Sequence, residues 1–232
     1  MSTGSLPRLR YFMFPGRCFA ARVALFNSLG KEGWIDERLG QTQFRKLKVQ
    51  AAEQRKEKTA AVFISDNLPH LVLADGKTQV TQSHAIARWA ARQQTQSSNS
   101  YALYPDQDID AALLVDEAMS MVDAMVGFAP KDADKEVRMT KRKAYAGEGG
   151  FLHTGMSILE SRLRDSGGPF LLGKQLSIAD LYLKKPLTDM IIDKQFEGVP
   201  PEYLSQFPLI RAHTDVVAAH RLIQEYLQHY KN

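Results

Sequence analysis

Two side chains near the start of the chain, Tyr11 and Cys18, could act on a sulfur atom, in different ways. A tyrosine hydroxyl stays protonated at neutral pH and donates a hydrogen bond. Aimed at a thiol, it stabilises the thiolate and lowers a pKa that is ordinarily about 8.5. Tyr11 lies in a short apolar segment, Leu9 to Phe14, and Pro15-Gly16 then breaks it before a helical pattern from Arg17 to Leu29. It therefore stands at a strand end ahead of a helix N-terminus, where free N–H groups and the helix dipole favour an anion. The same pattern also fits an ordinary tyrosine at a sheet edge. Cys18 would instead be the nucleophile, in thiol–disulfide exchange, or simply a small buried residue.

A second group lies further on. Gln82 and Ser83 open a helical stretch running to Gln93. Unpaired N–H groups at such a start, with a hydroxyl beside them, suit a carboxylate. A plain helix cap made by Ser83 or Thr81 fits equally well. Leu68-Pro69 precedes a short strand, a position where proline is tolerated.

The elements that would position these residues can be read in order. In the Arg17–Leu29 helix, Ala21, Ala24, Leu25 and Leu29 fall on one stripe, and Gly30 suits its C-cap. Trp34 to Leu39 reads as a second strand, and the charged stretch Gln43 to Lys58 as a second helix. His70–Ala74 and Gln79–Thr81 flank Asp75-Gly76, a hairpin signal. The order β–α–β–α–β–β–α is that of a thioredoxin-like α/β domain. Gln94 to Ser100 is polar and unpatterned and reads as linker. Helical patterns follow over Asp110–Phe128, Thr140–Leu163 with a glycine interruption, Ser177–Asp193 and Pro208–Tyr230. The expected organisation is residues 1–94 as the α/β domain, 95–106 as linker and 107–232 as an all-α domain. Ser177 and Asp180 form a helix cap with an acidic residue at the third position, which serves folding.

Composition narrows the function. The chain has 232 residues, of which 44% are hydrophobic, enough for a full core. No apolar run reaches the roughly 18 residues of a membrane span. Met1 to Leu6 lacks the apolar stretch of a signal peptide. A single cysteine rules out an internal disulfide framework and fits the cytoplasm. A net charge of +4 without interleaved aromatic and basic residues gives no nucleic-acid surface.

Several segments then carry a family resemblance. Tyr11-Phe12-x-x-x-Gly16-Arg17-Cys18-x-Ala20-x-Arg22 resembles the first strand and helix of cytosolic glutathione transferases, nearest the pi and sigma classes. Phe44-Arg45-Lys46-Leu47-Lys48, Leu68-Pro69-x-Leu71 with Asp75-Gly76, and Gln82-Ser83-x-Ala85-Ile86-x-Arg88 are similar to later motifs of that domain. Leu114-Val115-Asp116 and Phe170-Leu171-x-Gly173-x-x-Leu176-Ser177-x-Ala179-Asp180 resemble motifs of the helical domain. The segments keep the family order across nearly the whole chain.

The resemblance implies the glutathione transferase fold and a detoxifying transferase with glutathione as co-substrate and no metal. It makes Tyr11 the catalytic residue, stabilising a thiolate that attacks an electrophilic apolar substrate or a peroxide. It implies a cis Leu68–Pro69 peptide, with the Leu68 backbone pairing to the ligand as an added strand would. Gln82 and Ser83 would hold the γ-glutamyl carboxylate, Lys48 and the Phe44 position the glycine carboxylate, and Arg17 would lie beside the thiol. Asp116 would reach the site from the other subunit of a homodimer. Phe12, Met13 and Phe14 would line the second-substrate pocket, closed by helices of the second domain. Phe44 replaces the family's usual tryptophan, Asn67 its usual glutamine, and the spacing from Lys48 to Leu68 is longer than the pattern, near Ala51 to Phe63. Two other functions fit the same motifs: a non-catalytic binding or scaffold protein, and a thiol transferase acting through Cys18.

Overall fold

The computed structural model describes residues 5–59, 62–93 and 100–230. The expected linker at 95–99 falls outside them. Strand β1 (Arg8–Phe12) alternates, with Leu9 and Tyr11 buried between half-buried Arg8, Arg10 and Phe12. It pairs in parallel with β2 (Ile35–Leu39) and antiparallel with β3 (His70–Val72), which pairs antiparallel with β4 (Gln79–Thr81). The sheet order is β2-β1-β3-β4. A parallel neighbour demands a crossover, and α1 (Phe19–Leu29) supplies it.

The two faces of the sheet are covered differently. Tyr11 faces α1, where the Arg22 guanidinium carbon lies 5.7 Å from its ring centre. Phe12 faces the other way and meets Phe44 of α2 (Gln41–Lys56) edge-on, with centroids 5.3 Å apart. α3 (Ser83–Ala91) packs along α1, and Ser28 Oγ donates to the Ala90 carbonyl at 2.9 Å. The single apolar stripe expected for α1 is too narrow: every residue from Phe19 to Leu25 is buried, Arg22 included, as befits a helix enclosed all round.

Contact clustering divides the chain into two compact units, residues 1–100 and 101–232. Residues 101–106, expected within the linker, are anchored in the second unit. Leu103 is buried and its carbonyl accepts from Ile178 N–H at 2.9 Å.

The second unit is all helical. α4 (Ile109–Gly127) and α5 (Lys135–Ala146) begin at Asp108 and Asp134, whose carboxylates accept N–H bonds from the first turn. α6 (Phe151–Asp165) approaches α4 so closely that a side chain at Gly155 would run into Met125. The helix expected over 177–193 is interrupted: α7 (Ile178–Tyr182) and α8 (Asp189–Ile192) flank a turn where Lys185 and Pro186 leave helical geometry. Proline lacks an N–H and pushes its predecessor toward extended backbone, and Lys185 has φ −129° and ψ 123°. Lys184 and Lys185 both pair with Asp189 at 2.9 Å, bracing the break. The final helix is likewise two, α9 (Pro208–Ala219) and α10 (Arg221–His229), because His220 turns extended and caps the second with Nδ1.

Two buried carboxylates organise this unit. Glu160 of α6 accepts the N–H groups of Leu209 and Ile210, both at 2.9 Å, and so caps α9. Asp180 accepts from Leu171 N–H at 2.8 Å, Ser177 N–H and Oγ at 2.7 Å each, and lies 2.9 Å from His213 Nε2. Removing it strands several buried donors together. Asp180→Ala is therefore expected to cost the helical unit about 3 kcal/mol or more. Urea unfolding followed by helical circular dichroism measures it, and Asp215→Ala, at an exposed i,i+4 pair with Arg211, should change little.

Candidate functional site

β1 ends in a turn that folds back on itself. Phe12 is followed by exposed Met13 and Phe14, then by one 3₁₀ turn, Gly16–Cys18, that leads into α1. The return brings the Arg17 N–H to the Tyr11 hydroxyl, 3.3 Å from N to O. Gly16 makes it possible: its φ is +41°, and a Cβ there would stand 2.8 Å from the Tyr11 hydroxyl and 2.9 Å from the Phe14 ring. The hydroxyl is the acceptor in this bond, so its own proton can be given to another group. Tyr11 is only 5% exposed. Burial raises its pKa above the ordinary tyrosine value, with the Arg17 N–H and the charges of Arg17 and Arg22 opposing. It is a neutral phenol and a donor at pH 7.

A cleft of about 420 Å³ adjoins this turn. Arg17 lines one part of it, Ser65, Asn67, Leu68 and Pro69 another, and Thr81, Gln82 and Ser83 a third. The Leu68–Pro69 peptide is cis, as is Lys185–Pro186. β3 begins at His70, so the Leu68 backbone lies just beyond the paired ladder. Gln82 stands at φ +75° and ψ 113°, a region non-glycine residues rarely enter. Such strain costs on the order of 1–3 kcal/mol and collects at ligand sites. Its carbonyl accepts the first helical bond of α3, from Ile86 N–H at 3.1 Å. Ser83 is the first helical residue, so the unpaired N–H groups of an α-helix start are gathered at this wall. The lining holds one cation, Arg17, and no carboxylate, so it favours an anion.

Other residues singled out above lie apart from this lining. Phe44 and Lys48 sit on α2, with the Lys48 ammonium 5.6 Å from the Phe44 ring centre. Phe44 belongs to an aromatic row in which Phe12 stacks on Phe14 at 5.4 Å and Phe44 meets Phe63 at 6.1 Å. Of the expected second-substrate residues, Phe12 is half-buried in this row, while Met13 and Phe14 are 56% and 55% exposed. Asp116 lies on α4 in the second unit, where its Oδ2 accepts from the Tyr104 hydroxyl at 3.3 Å. The longer stretch after Lys48 extends α2 to Lys56 and then folds back. Gln54 Oε1 accepts from Val62 N–H at 2.8 Å, and Arg55 donates to the Phe63 carbonyl and pairs with Asp66. Phe63 is buried with Leu39 and Ala51 beneath the helix.

Comparison with known proteins bears on the whole chain. Residues 118–230 match the family model described as glutathione S-transferase, C-terminal domain. Among solved structures, prostaglandin synthase D of Nilaparvata lugens superposes with a TM-score of 0.71 at 17% identity, over 96% of this chain and 97% of that one. Rat hPGDS complexed with a quinoline gives 0.69 at 19% identity over 96% of both chains. The pi-class glutathione S-transferase of Onchocerca volvulus gives 0.63 at 21% identity, over 96% of this chain and 92% of that one. The chain has the fold of the cytosolic glutathione transferases, and its residues 118–230 match the C-terminal domain of that family. No curated protein sequence matches it.

Cytosolic glutathione transferases use glutathione as co-substrate, a tripeptide with one thiol and two carboxylates. An anion-favouring cleft beside a buried tyrosine donor is chemically suited to such a ligand. Among the described residues no group of His, Cys, Asp and Glu is arranged to hold a metal, and no helix is long and apolar enough to cross a membrane.

Two features of the transferase fold here escaped the sequence reading. Gly16 looked like a breaker, whereas it is the space into which the Tyr11 hydroxyl fits. Arg22 was part of a motif without a role; an arginine within the apolar run Phe19–Phe26, with Asp36 on the neighbouring strand, was the available signal.

Burial argues against Cys18 as a nucleophile. The thiol is fully buried, and that burial pushes its pKa up to about 12, with Asp36 adding to the rise and Arg22 opposing it. Since the folded pKa lies above the ordinary value, the thiol stays neutral throughout the physiological range. An aromatic disulfide reagent at pH 8 should find no reactive thiol in the native protein and one after denaturation. Gly16→Ala is expected to displace the Tyr11 hydroxyl at a cost of about 1–2 kcal/mol in backbone strain. A conjugation assay should register a fall in rate larger than that modest change in unfolding midpoint would explain.

Proposed function

We propose that this protein is a glutathione transferase in which Tyr11 stabilises the glutathione thiolate. The observation that carries this reading is the Tyr11 hydroxyl, held by the N–H of Arg17, which lines a cleft together with Ser65, Asn67, Leu68, Pro69, Thr81, Gln82 and Ser83. The thiol loses its proton to solvent, and the sulfur anion accepts the phenol's hydrogen bond. The anion then attacks an electrophilic carbon: with an aryl halide, a C–S bond forms and halide departs. No proton passes to or from Tyr11 itself.

The rest of the ligand follows from the same walls. The Leu68 backbone, beyond the end of the β3 ladder, pairs with the cysteinyl unit as an added strand would. Gln82, Ser83 and the start of α3 take the γ-glutamyl carboxylate. The glycine carboxylate is left to Lys48, whose ammonium rests on the Phe44 ring. Exposed Phe14 and Met13 offer an apolar surface to the electrophile, and such surfaces adapt to varied substrates.

The active form in this reading is a homodimer in the cytosol, with Asp116 reaching the partner's ligand. Support comes from α4, where Ile109 and Leu113 are 82% and 66% exposed, one to two turns before Asp116. A binding protein without turnover is the competing reading, favoured by Phe44 and Lys48 lying against each other outside the cleft lining.

Conjugation of glutathione to a chlorodinitrobenzene-type electrophile separates the two. Tyr11→Phe removes one hydrogen bond to an anion, about 2 kcal/mol or roughly thirtyfold in rate. Retention on immobilised glutathione without turnover in the wild type would favour the binding protein, and equal rates in wild type and Tyr11→Phe would remove Tyr11 from the mechanism.

A further inference from the structure

α1 buries one charged side chain. Arg22 is 1% exposed, and three fixed groups hold its guanidinium. Nε lies 3.0 Å from Asp36 Oδ1 on β2, Nη2 donates to the Phe12 carbonyl at 3.1 Å and Nη1 to the Phe14 carbonyl at 3.2 Å. Asp36 is itself held from the other side by Arg38, at 2.9 Å. Tyr11 and Cys18 both sense the Arg22 charge.

The two carbonyls are those of the turn that carries the chain from Tyr11 to Arg17. Phe12 ends β1 and Phe14 lies in the turn after it, and backbone carbonyls at such a reversal need donors. Arginine supplies two parallel donors in one rigid fork while a third faces the carboxylate; lysine cannot reproduce that geometry. The fork thus joins α1, β2 and the turn at one point. It fixes the distance over which the Arg17 N–H meets the Tyr11 hydroxyl. Its charge also stands 5.7 Å from the centre of the Tyr11 ring, which favours electron density on the phenol oxygen and makes its proton easier to share.

We propose that Arg22, clamped by Asp36, is a positioning residue that governs how strongly Tyr11 stabilises a bound thiolate, by holding the Phe12–Phe14 turn. The inference rests on the Tyr11 reading above. A merely structural arginine would lower stability alone; a positioning one also moves the titration of the bound thiol. The test is an ultraviolet titration of the thiolate in the protein–glutathione complex, alongside the pH profile of kcat/KM, for wild type, Arg22→Lys, Asp36→Asn, Tyr11→Phe and Leu25→Ala. Leu25 is a buried residue of the same helix, and its truncation lowers stability without touching the turn. Arg22→Lys is expected to raise the thiol midpoint by about one pH unit, about tenfold less thiolate at neutral pH. The rate should recover as pH rises, with KM for glutathione little changed, and Leu25→Ala should keep the wild-type midpoint. Asp36→Asn should shift in the same direction and carries the test if Arg22→Lys does not fold. A depressed wild-type midpoint that Tyr11→Phe raises, but that folded Arg22→Lys and Asp36→Asn leave alone, overturns this inference and spares the Tyr11 reading. An ordinary thiol midpoint in the wild-type complex, indifferent to Tyr11→Phe, overturns both.

Discussion

The bond between the Arg17 N–H and the Tyr11 hydroxyl sets the terms for the whole α/β unit. A phenol hydroxyl is a useful donor to an anion only if it is held in place and kept neutral, which asks for partial burial and a backbone donor. The chain must therefore leave a strand, reverse and begin a helix within a few residues. Gly16 supplies the backbone conformation and the empty space, and Arg22 satisfies the carbonyls that the reversal leaves over. Asp36 on the parallel β2 pairs with Arg22 and so ties α1 to the sheet. The opposite wall obeys a similar logic. Gln82 accepts an unfavourable backbone conformation so that the start of α3 and the Leu68–Pro69 segment line one cleft.

Much of this was legible in the residues. The β–α–β–α–β–β–α order came from alternation, helix periodicity and turn signals, and the structure follows it, with boundaries displaced by a few residues. The cleft walls at Arg17, Leu68, Pro69, Gln82 and Ser83 came from motifs in a fixed order, and those five residues line one cavity. What stayed hidden depends on three dimensions. No local pattern says that α1 is buried on every side, because enclosure depends on partners distant in sequence. Pro186 breaks a helix whose apolar period runs on through it on either side. The break at His220 has no glycine or proline to announce it; a ring nitrogen caps the next helix instead. The position of Lys48 relative to the cleft depended on the path of the longer segment after it, which composition alone leaves open.

The helical unit uses a different economy. Its boundaries are held by carboxylates turned inward, Glu160 on the start of α9 and Asp180 within the first turn of α7, while exposed ion pairs such as Arg211–Asp215 contribute little. Buried acceptors that each collect several N–H groups fix which helix start meets which neighbour. On the outward surfaces of α4 and α5, by contrast, large apolar side chains such as Ile109, Leu113 and Val137 are exposed.

The fold-back after α2 has a mechanical consequence. Gln54 and Arg55 grip the returning chain at Val62, Phe63 and Asp66, and Phe63 is sunk beneath the helix. Two residues past Asp66 the same strand of chain becomes the Leu68–Pro69 wall. The helix and the wall are therefore riveted together, so α2 and the Leu68–Pro69 segment belong to one packed piece of the α/β unit.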